Sequence, residues 1–479
     1  MEVIKSMDTA QTLCKARVDA EHPHLVMLGL YLAAFMGMLS ETSLNIALPP
    51  LRDAFHIGVG VAQWLVVGYM LVIGIILPLT SLLMKRFSIR ELTFFALGTF
   101  FIGSMISGLA LNFPVLLVGR MIQGISTGMV LPMMFSVILE VFPPNKIGSA
   151  MGISSLVVMF APAVGPTLSG IFLGYLSWRW IFFFFAIVSA AAIVVTGIYM
   201  VNPYQLTKPK IDGISCLTSV IGFGGIVLGV SLISDLGFSV PVILTLIVGI
   251  VSIILYARRQ MRMETPILDL RALAVPEFRT GTALVMINFG IALSTMYLLP
   301  QEIQSGLSMP AVDAGFVMLP GSLINACISF FSGRLYDRFG SKYLVKIGFF
   351  VSIIGTILLT FTSSGSSVSY VIFCHIILMI GIPLTMSPSQ STALNALPQD
   401  LSRDGSTIMN TMQQIVGAIS TAIATCLLGI GQMVYTRSGG TNGAQAFVKG
   451  SHYGFYFALL LAAIGFAISF WIRDTKRDT

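Results

Sequence analysis

The chain has 479 residues, of which 56% are hydrophobic and 10% charged, and its mean hydropathy is +0.90. A soluble domain is about 25% charged, and no soluble core could hide this much apolar side chain, so the bilayer must be the solvent and a water-soluble enzyme is excluded. The net charge of +7 does not describe a nucleic-acid surface, because the basic residues sit in short loops between apolar runs.

Taken in order, residues 1–24 form a polar tail with both charge signs. The tail lacks an apolar region followed by a small-residue cleavage site, so it reads as a cytoplasmic tail with the first span retained. Apolar runs of about 20 residues then predict fourteen spans. They lie near 25–49, 59–84, 92–111, 114–139, 147–174, 179–201, 214–234, 241–258, 280–300, 312–333, 344–362, 368–388, 405–431 and 452–472. Alternation puts both termini on one side. Twenty-two Lys and Arg residues fall on that side; only Arg52, Arg179, Arg437 and Lys449 fall on the other, with Arg120 inside a span. Cytoplasmic loops carry such an excess, so both ends face the cytoplasm of a multi-pass cell (plasma) membrane protein.

The expected organisation is all-α: a tail (1–24), a six-helix bundle (25–201), two inserted helices with a basic connector (202–279), a second six-helix bundle (280–472) and a short tail (473–479). The connector reads equally as a short amphipathic surface helix or as a solvated basic loop. Cys14, Cys216, Cys327, Cys374 and Cys426 form no C-x-x-C pair, so neither a disulfide framework nor a metal site is expected. No phosphate loop, metalloprotease helix, catalytic Ser/His/Asp set or dinucleotide fingerprint is present, which points away from an enzyme and from any cofactor.

The most informative stretch is Met38–Pro50, MLSETSLNIALPP. It places a carboxylate, Glu41, inside the first span beside Thr42, Ser43 and Asn45. A charge at that depth costs roughly 2.5–3.5 kcal/mol on insertion scales and normally faces a cavity or a partner. The fourth span carries a second buried charge in Gly119-Arg120-Met121-Ile122-Gln123-Gly124, with Gly124 and Gly128 spaced for close helix approach. The fifth contains Ala161-Pro162-Ala163-Val164-Gly165-Pro166, where proline removes a helix hydrogen bond and permits a bend. Trp178-Arg179-Trp180 follows as an interfacial anchor. The tenth and eleventh spans are joined by Gly333-Arg334-Leu335-Tyr336-Asp337-Arg338-Phe339-Gly340, in which two glycines permit a tight turn. The matching loop of the first half keeps Arg86, Phe87 and Arg90 but has neither glycine and puts Lys85 in place of the acid.

These segments resemble the major facilitator superfamily. The tenth–eleventh loop is similar to its G-x-L-x-D-R-x-G-x-K gating loop, the fourth span to its R-x-x-Q-G-x-x-x-G helix, and Gly165-Pro166 to the antiporter element of its fifth helix. Together with the span count, they resemble the fourteen-span drug:proton antiporter branch, and the first span looks closest to the lincomycin-efflux group. The resemblance implies two six-helix bundles plus two inserted helices. It also implies proton-coupled efflux of amphipathic drugs by alternating access, with small substrate, protons and lipid as partners and a monomeric carrier. It assigns proton coupling to Glu41 and Arg120, which are expected to pair, and gating to Arg86, Arg90, Gly165, Pro166, Gly333, Asp337, Arg338 and Gly340. Glu302, at the outer end of the ninth span, reads from its position either as a second proton-coupling or cation-recognising site or as a rim residue. Many relatives have an aspartate five residues before Asn45; Ser40 occupies that place here, and a one-residue step to Glu41 turns a helix by about 100°.

Polar groups within spans form the expected substrate site: Asn45, Gln123, Asn288, Gln301, Asn410 and Gln413. A single deep carboxylate suits neutral or singly charged cargo. Asp313 reads as an acid at a helix start, and His375 as a buried, hydrogen-bonded imidazole. An alternative on the same scaffold is a lipid or glycolipid flippase, which a lipid-scrambling assay would separate.

Overall fold

The computed structural model describes residues 23–142, 147–200, 202, 212–237, 239–263, 266 and 268–472. Among them are fourteen helices long and apolar enough to cross a membrane, and no strand. They are α1 (Pro23–Phe55), α2 (Trp64–Arg86), α3 (Ile89–Gly108), α4 (Phe113–Val141), α5 (Ile147–Tyr175), α6 (Arg179–Tyr199), α7 (Gly213–Leu236), α8 (Val240–Gln260), α9 (Pro276–Gln301), α10 (Ala311–Phe339), α11 (Ser341–Leu359), α12 (Val368–Asn395), α13 (Gln399–Arg437) and α14 (Gly443–Ile468). The apolar runs become helices one for one, because hydrocarbon leaves each backbone N–H and C=O to be paired within its own segment. Alternation defines two sides, named here for the two ends of α1: the Pro23 side and the Phe55 side.

Helices α1–α6 pack as one bundle and α9–α14 as a second. Helices α7 and α8 form a hairpin closed by Gly225 and Gly249, where a Cβ on Gly249 would lie 2.7 Å from the Ile226 nitrogen. Small residues of this kind let backbones touch. The hairpin lies over the line where α2 meets α13: the Gln63 amide, just before α2, donates to the Ser231 carbonyl at 3.5 Å. On α8, Val240, Ile247 and Leu255 stay exposed, a face made for lipid. The connector after α8 is neither an amphipathic helix nor a free loop. Its described part holds one 3-10 turn, Leu270–Ala274, and buries Leu268 and Ala272 against Phe278, Ala393 and Leu397 of the second bundle.

Prolines inside the helices shape the contacts between them. Each removes the N–H that would have bonded the carbonyl four residues earlier, and at four of them a neighbouring side chain takes up that carbonyl. Pro132 frees the Gly128 carbonyl, which accepts from Thr80 at 3.4 Å. Pro166 frees that of Pro162, which accepts from Thr42 at 3.4 Å. Pro383 frees that of Met379, which accepts from Asn325 at 3.4 Å. Pro50 frees that of Ile46, which accepts from Gln304 at 2.9 Å. The last of these crosses from one bundle to the other.

A second crossing lies on the same Phe55 side, between α5 and α10. A Cβ on Gly315 would sit 2.9 Å from the Pro166 carbonyl, and one on Gly170 would sit 3.0 Å from the Ala311 carbonyl. Thr167 donates to the Gly315 carbonyl at 3.0 Å. These backbone-to-backbone contacts hold the two bundles together on that side.

On the Pro23 side, the two loops related by sequence turn by different means. Gly340 has φ 74, the left-handed region that glycine alone enters freely. Gly333, expected to share in that turn, lies inside α10 with open space where a Cβ would go. In the first half no glycine is needed: Ser88 caps α3 by accepting from the Glu91 N–H at 3.2 Å, and its own N–H donates to the Glu91 carboxylate at 3.0 Å.

Candidate functional site

Arg120 is fully buried, with 0% of its surface exposed, and its guanidinium is held by four hydrogen bonds and an aromatic ring. Nη1 donates to Ser40 Oγ at 2.5 Å and to Gln123 Oε1 at 2.8 Å, Nη2 to the Ser40 carbonyl at 3.4 Å, and Nε to the Leu65 carbonyl at 3.3 Å. The Tyr69 ring lies beneath, 4.0 Å from the guanidinium carbon. Tyr69 is held in turn by its hydroxyl, which donates to the Gly37 carbonyl at 2.9 Å and lies 2.7 Å from Thr127 Oγ1. Gln123 passes the network on, its amide donating to Ser104 Oγ at 2.7 Å. Small residues on α4 make this possible: a Cβ on Gly119 or Gly124 would strike backbone of α3 or α2 within 3 Å.

Glu41 does not pair with this cation. It is 3% exposed, and no N···O approach to Arg120 falls within 4.0 Å, although the two charges are near enough to act on each other. The direct pair expected from sequence is replaced by Ser40, which faces α4, while the 100° step turns Glu41 away from it. Gln414 of α13 lies within reach of Glu41, so the acid of one bundle meets an amide of the other. The second oxygen, Oε2, has no hydrogen-bond partner among the described residues. On the flank, Gly165 of α5 fits tightly against Leu39, Thr42 and Ser43, and the Ser43 hydroxyl donates to the Gly165 carbonyl at 3.3 Å.

The polar residues chosen from sequence divide into two groups. Asn45 Oδ1, Gln301 Oε1 and Gln413 Nε2 are buried and lack partners among the described residues, and Gln414 Oε1 and Tyr297 Oη join them. Asn410 is half-buried on α13. These groups can still bond a ligand. Gln123 and Asn288 are already engaged at both ends. The Asn288 amide donates to the Ile382 carbonyl at 2.9 Å and its oxygen accepts from Thr385 at 3.1 Å, tying α9 to α12.

Glu302 lies apart, at the Phe55 end of α9 in the second bundle. It is 0% exposed, not a rim residue, and Thr362 Oγ1 approaches its Oε1 at 2.5 Å. His375 is buried, yet neither ring nitrogen has a hydrogen-bond partner among the described residues, so the hydrogen-bonded imidazole expected there is absent. Its ring instead packs where a Cβ on Gly321 would meet Nδ1 at 2.2 Å.

On the Pro23 side, Arg90 ties α3 to α6, its Nη2 donating to the Gly197 carbonyl at 2.9 Å. Arg86 and Arg338 are exposed. The Asp337 side chain lies outside the described residues. Sequence reading missed Ser40, Tyr69, Ser104, Thr362 and His452. For His452 a signal existed, an imidazole at the start of an apolar run. The single hydroxyls carried none, because serine and threonine are common in membrane helices and bond their own turns.

A family model for the Major Facilitator Superfamily matches residues 30–421. The chain is 41% identical to the lincomycin resistance protein LmrB of Listeria monocytogenes over 95% of this chain and 98% of the relative. It is 43% identical to LmrB of Bacillus subtilis over 95% and 96%. It is 26% identical to the multidrug export protein EmrB of Haemophilus influenzae over 84% and 79%. Among solved structures, a POT family transporter in complex with 5-aminolevulinic acid superposes with a TM-score of 0.68 at 16% identity, covering 94% of this chain and 96% of that one. The human organic anion transporter MFSD10 does so with a TM-score of 0.60 at 14% identity, covering 92% and 99%.

Proposed function

This chain belongs to the major facilitator superfamily, and from that premise we propose that it exports small amphipathic drugs in exchange for protons, by alternating access, as a monomer with both termini in the cytoplasm. The observation that carries this reading is the state of Glu41: a buried acid at the junction of the bundles, beside a cation it does not pair with and with one oxygen unbonded. Such a group is free to choose between a proton and a ligand. Arg120 cannot make that choice, because a guanidinium keeps its proton and four of its five N–H groups are already bonded. It supplies a fixed positive field instead.

When the Phe55 side opens, a proton binds Glu41 and the substrate leaves; when the Pro23 side opens, the proton departs and substrate takes its place. A membrane potential contributes about 2.3 kcal/mol per charge per 100 mV to each such cycle. The unpartnered amide atoms of Asn45 (Oδ1), Gln301 (Oε1), Gln413 (Nε2) and Gln414 (Oε1), with Asn410 beside them, offer the substrate hydrogen bonds without dictating one shape. The α5–α10 seam around Gly165 and Pro166 serves as the gate on one side. On the other, the loops carrying Arg86, Arg90, Gly333, Asp337, Arg338 and Gly340 serve that role. Relatives named for lincomycin resistance and multidrug export favour drugs over lipids as cargo, with a lincosamide as the first compound to try.

The test is Glu41→Gln in inverted vesicles. Drug uptake driven by a proton gradient falls to the level of carrier-free vesicles, and drug-induced proton movement disappears, while drug–drug exchange persists. Unchanged proton movement disproves the assignment.

A further inference from the structure

Glu302 stands where α9 breaks. The Leu307 N–H donates to the Glu302 carbonyl at 3.0 Å and the Met309 N–H to that of Ile303 at 3.2 Å, so the chain runs through a π turn, Glu302–Gly306. Ser308 then reverses it with φ 57, a conformation that costs a non-glycine residue energy. Turns of this kind concentrate at functional sites. This one also carries Gln304, whose amide holds the Ile46 carbonyl of the other bundle. One short turn therefore bears a buried acid and fastens the Phe55 side.

Glu302 and a backbone carbonyl both lie within reach of one hydroxyl. Thr362 Oγ1 lies 2.5 Å from Glu302 Oε1 and 2.8 Å from the Leu359 carbonyl, yet a hydroxyl has a single proton to give. His452 Nε2 lies 2.8 Å from the Thr362 carbonyl, so that nitrogen carries the ring N–H and donates. Its 3.4 Å approach to Thr362 Oγ1 adds no second acceptor for the hydroxyl proton. All bonds close when Glu302 itself holds a proton and donates it to Thr362, whose own proton goes to Leu359. Oε2 has no partner among the described residues, which suits a neutral carboxyl and not a buried carboxylate. The titratable neighbours are Cys374 and Tyr370 of α12 and His452 and Lys449 of α14, with Arg52 of α1 acting near Tyr297, about one turn before the acid. No basic side chain lies within 4.0 Å of the carboxyl among the described residues.

We propose that Glu302 is a second proton-binding site, separate from Glu41, and that the Phe55-side gate closes with a proton held there. Opening hydrates the turn and releases that proton, so raising the pH favours the open gate. Were His452 the titrating group, the slope would reverse, because a second ring proton would have no acceptor in the closed turn. The inference holds whatever compound the carrier exports.

Hydrogen exchange read by mass spectrometry on the full chain in lipid nanodiscs tests it. After correction for intrinsic rates, the amides of residues 302–309 exchange faster by up to about tenfold per pH unit across part of the range from about pH 5 to about pH 9. Glu302→Gln, a neutral isostere, removes the slope and leaves the segment slow throughout. Glu41→Gln keeps it, which separates this inference from the export mechanism. A slope that survives Glu302→Gln, is absent from the natural chain, or runs the other way overturns the proposal. If Glu302→Gln does not fold, Thr362→Val, which keeps the carboxyl but removes its acceptor, must shift the midpoint; an unmoved midpoint overturns the proposal as well.

Discussion

Two buried acids, one in each bundle, occupy opposite kinds of surroundings. Glu41 lies beside a guanidinium and faces the other bundle, whereas Glu302 has no cation near it and faces into its own. Each has one oxygen without a partner. Burial is the same; what differs is who else is charged and what moves. Near Glu41 the positive charge is held in a network of four hydrogen bonds, so a ligand or a proton arriving there meets a rigid field. Near Glu302 every neighbour is uncharged or distant, and the turn that carries the acid also holds the bundles together. The first arrangement suits coupling to cargo and the second suits coupling to the gate.

The largest effect that would sharpen this contrast is on stability. Arg120→Lys keeps the charge but cannot reach Ser40, Gln123 and the Leu65 carbonyl together or stack on Tyr69. Its expected cost is on the order of 3 kcal/mol, seen as a lower thermal midpoint in detergent. Thr362→Val in the neutral cluster is expected to cost about 1 kcal/mol. Equal costs would mean that the two networks are not different in kind. Next in size is Gln304→Ala, which removes the bond to Ile46; losing about 1 kcal/mol from the closed gate shifts its population about fivefold toward open. That shift is measurable as faster labelling of the Phe55 side by a membrane-impermeant thiol reagent, after a cysteine is placed in the α11–α12 loop.

The smallest effect concerns a third acid, outside the spans. Asp212, at the start of α7, accepts from Arg259 Nε and Nη2 at 2.7 and 2.9 Å and from Ser215 at 2.5 Å. The Arg259 bonds, with help from Ser215, hold its carboxyl down at about 2. A carboxyl lowered on folding adds stability above the ordinary carboxylate range and loses it as the pH falls through the lowered value. Asp212→Asn should therefore lower the thermal midpoint slightly at neutral pH, with the difference shrinking as the pH approaches about 2. A deficit that persists in strong acid would assign the loss to the packing of the side chain and not to charge.

Much of the architecture was legible because length and apolarity are written residue by residue. A run of about 20 apolar residues has one option in hydrocarbon, and the fourteen helices follow. The Gly340 turn was legible for the same local reason, since only glycine enters that region freely. Gly333 was misread because its motif partner does the turning. The connector after α8 was misread because its apolar residues had two possible partners, membrane surface and protein, and packing chose the protein.

The site was legible in residue types and not in partners. Glu41, Arg120 and Glu302 stand out in sequence because charge inside a span is costly wherever the side chain points. Which of Ser40 and Glu41 meets Arg120 depends on the rotation of α1 against α4, and a single residue step decides it. That Asn288 is spent within its bundle while Gln414 reaches across depends on how α9, α12 and α13 are set. The sequence by itself thus determined that this protein spans a membrane fourteen times and buries charge. Only the tertiary structure decided which charges meet, because hydrogen bonds require approach within about 3 Å and no spacing along the chain encodes the distance between helices.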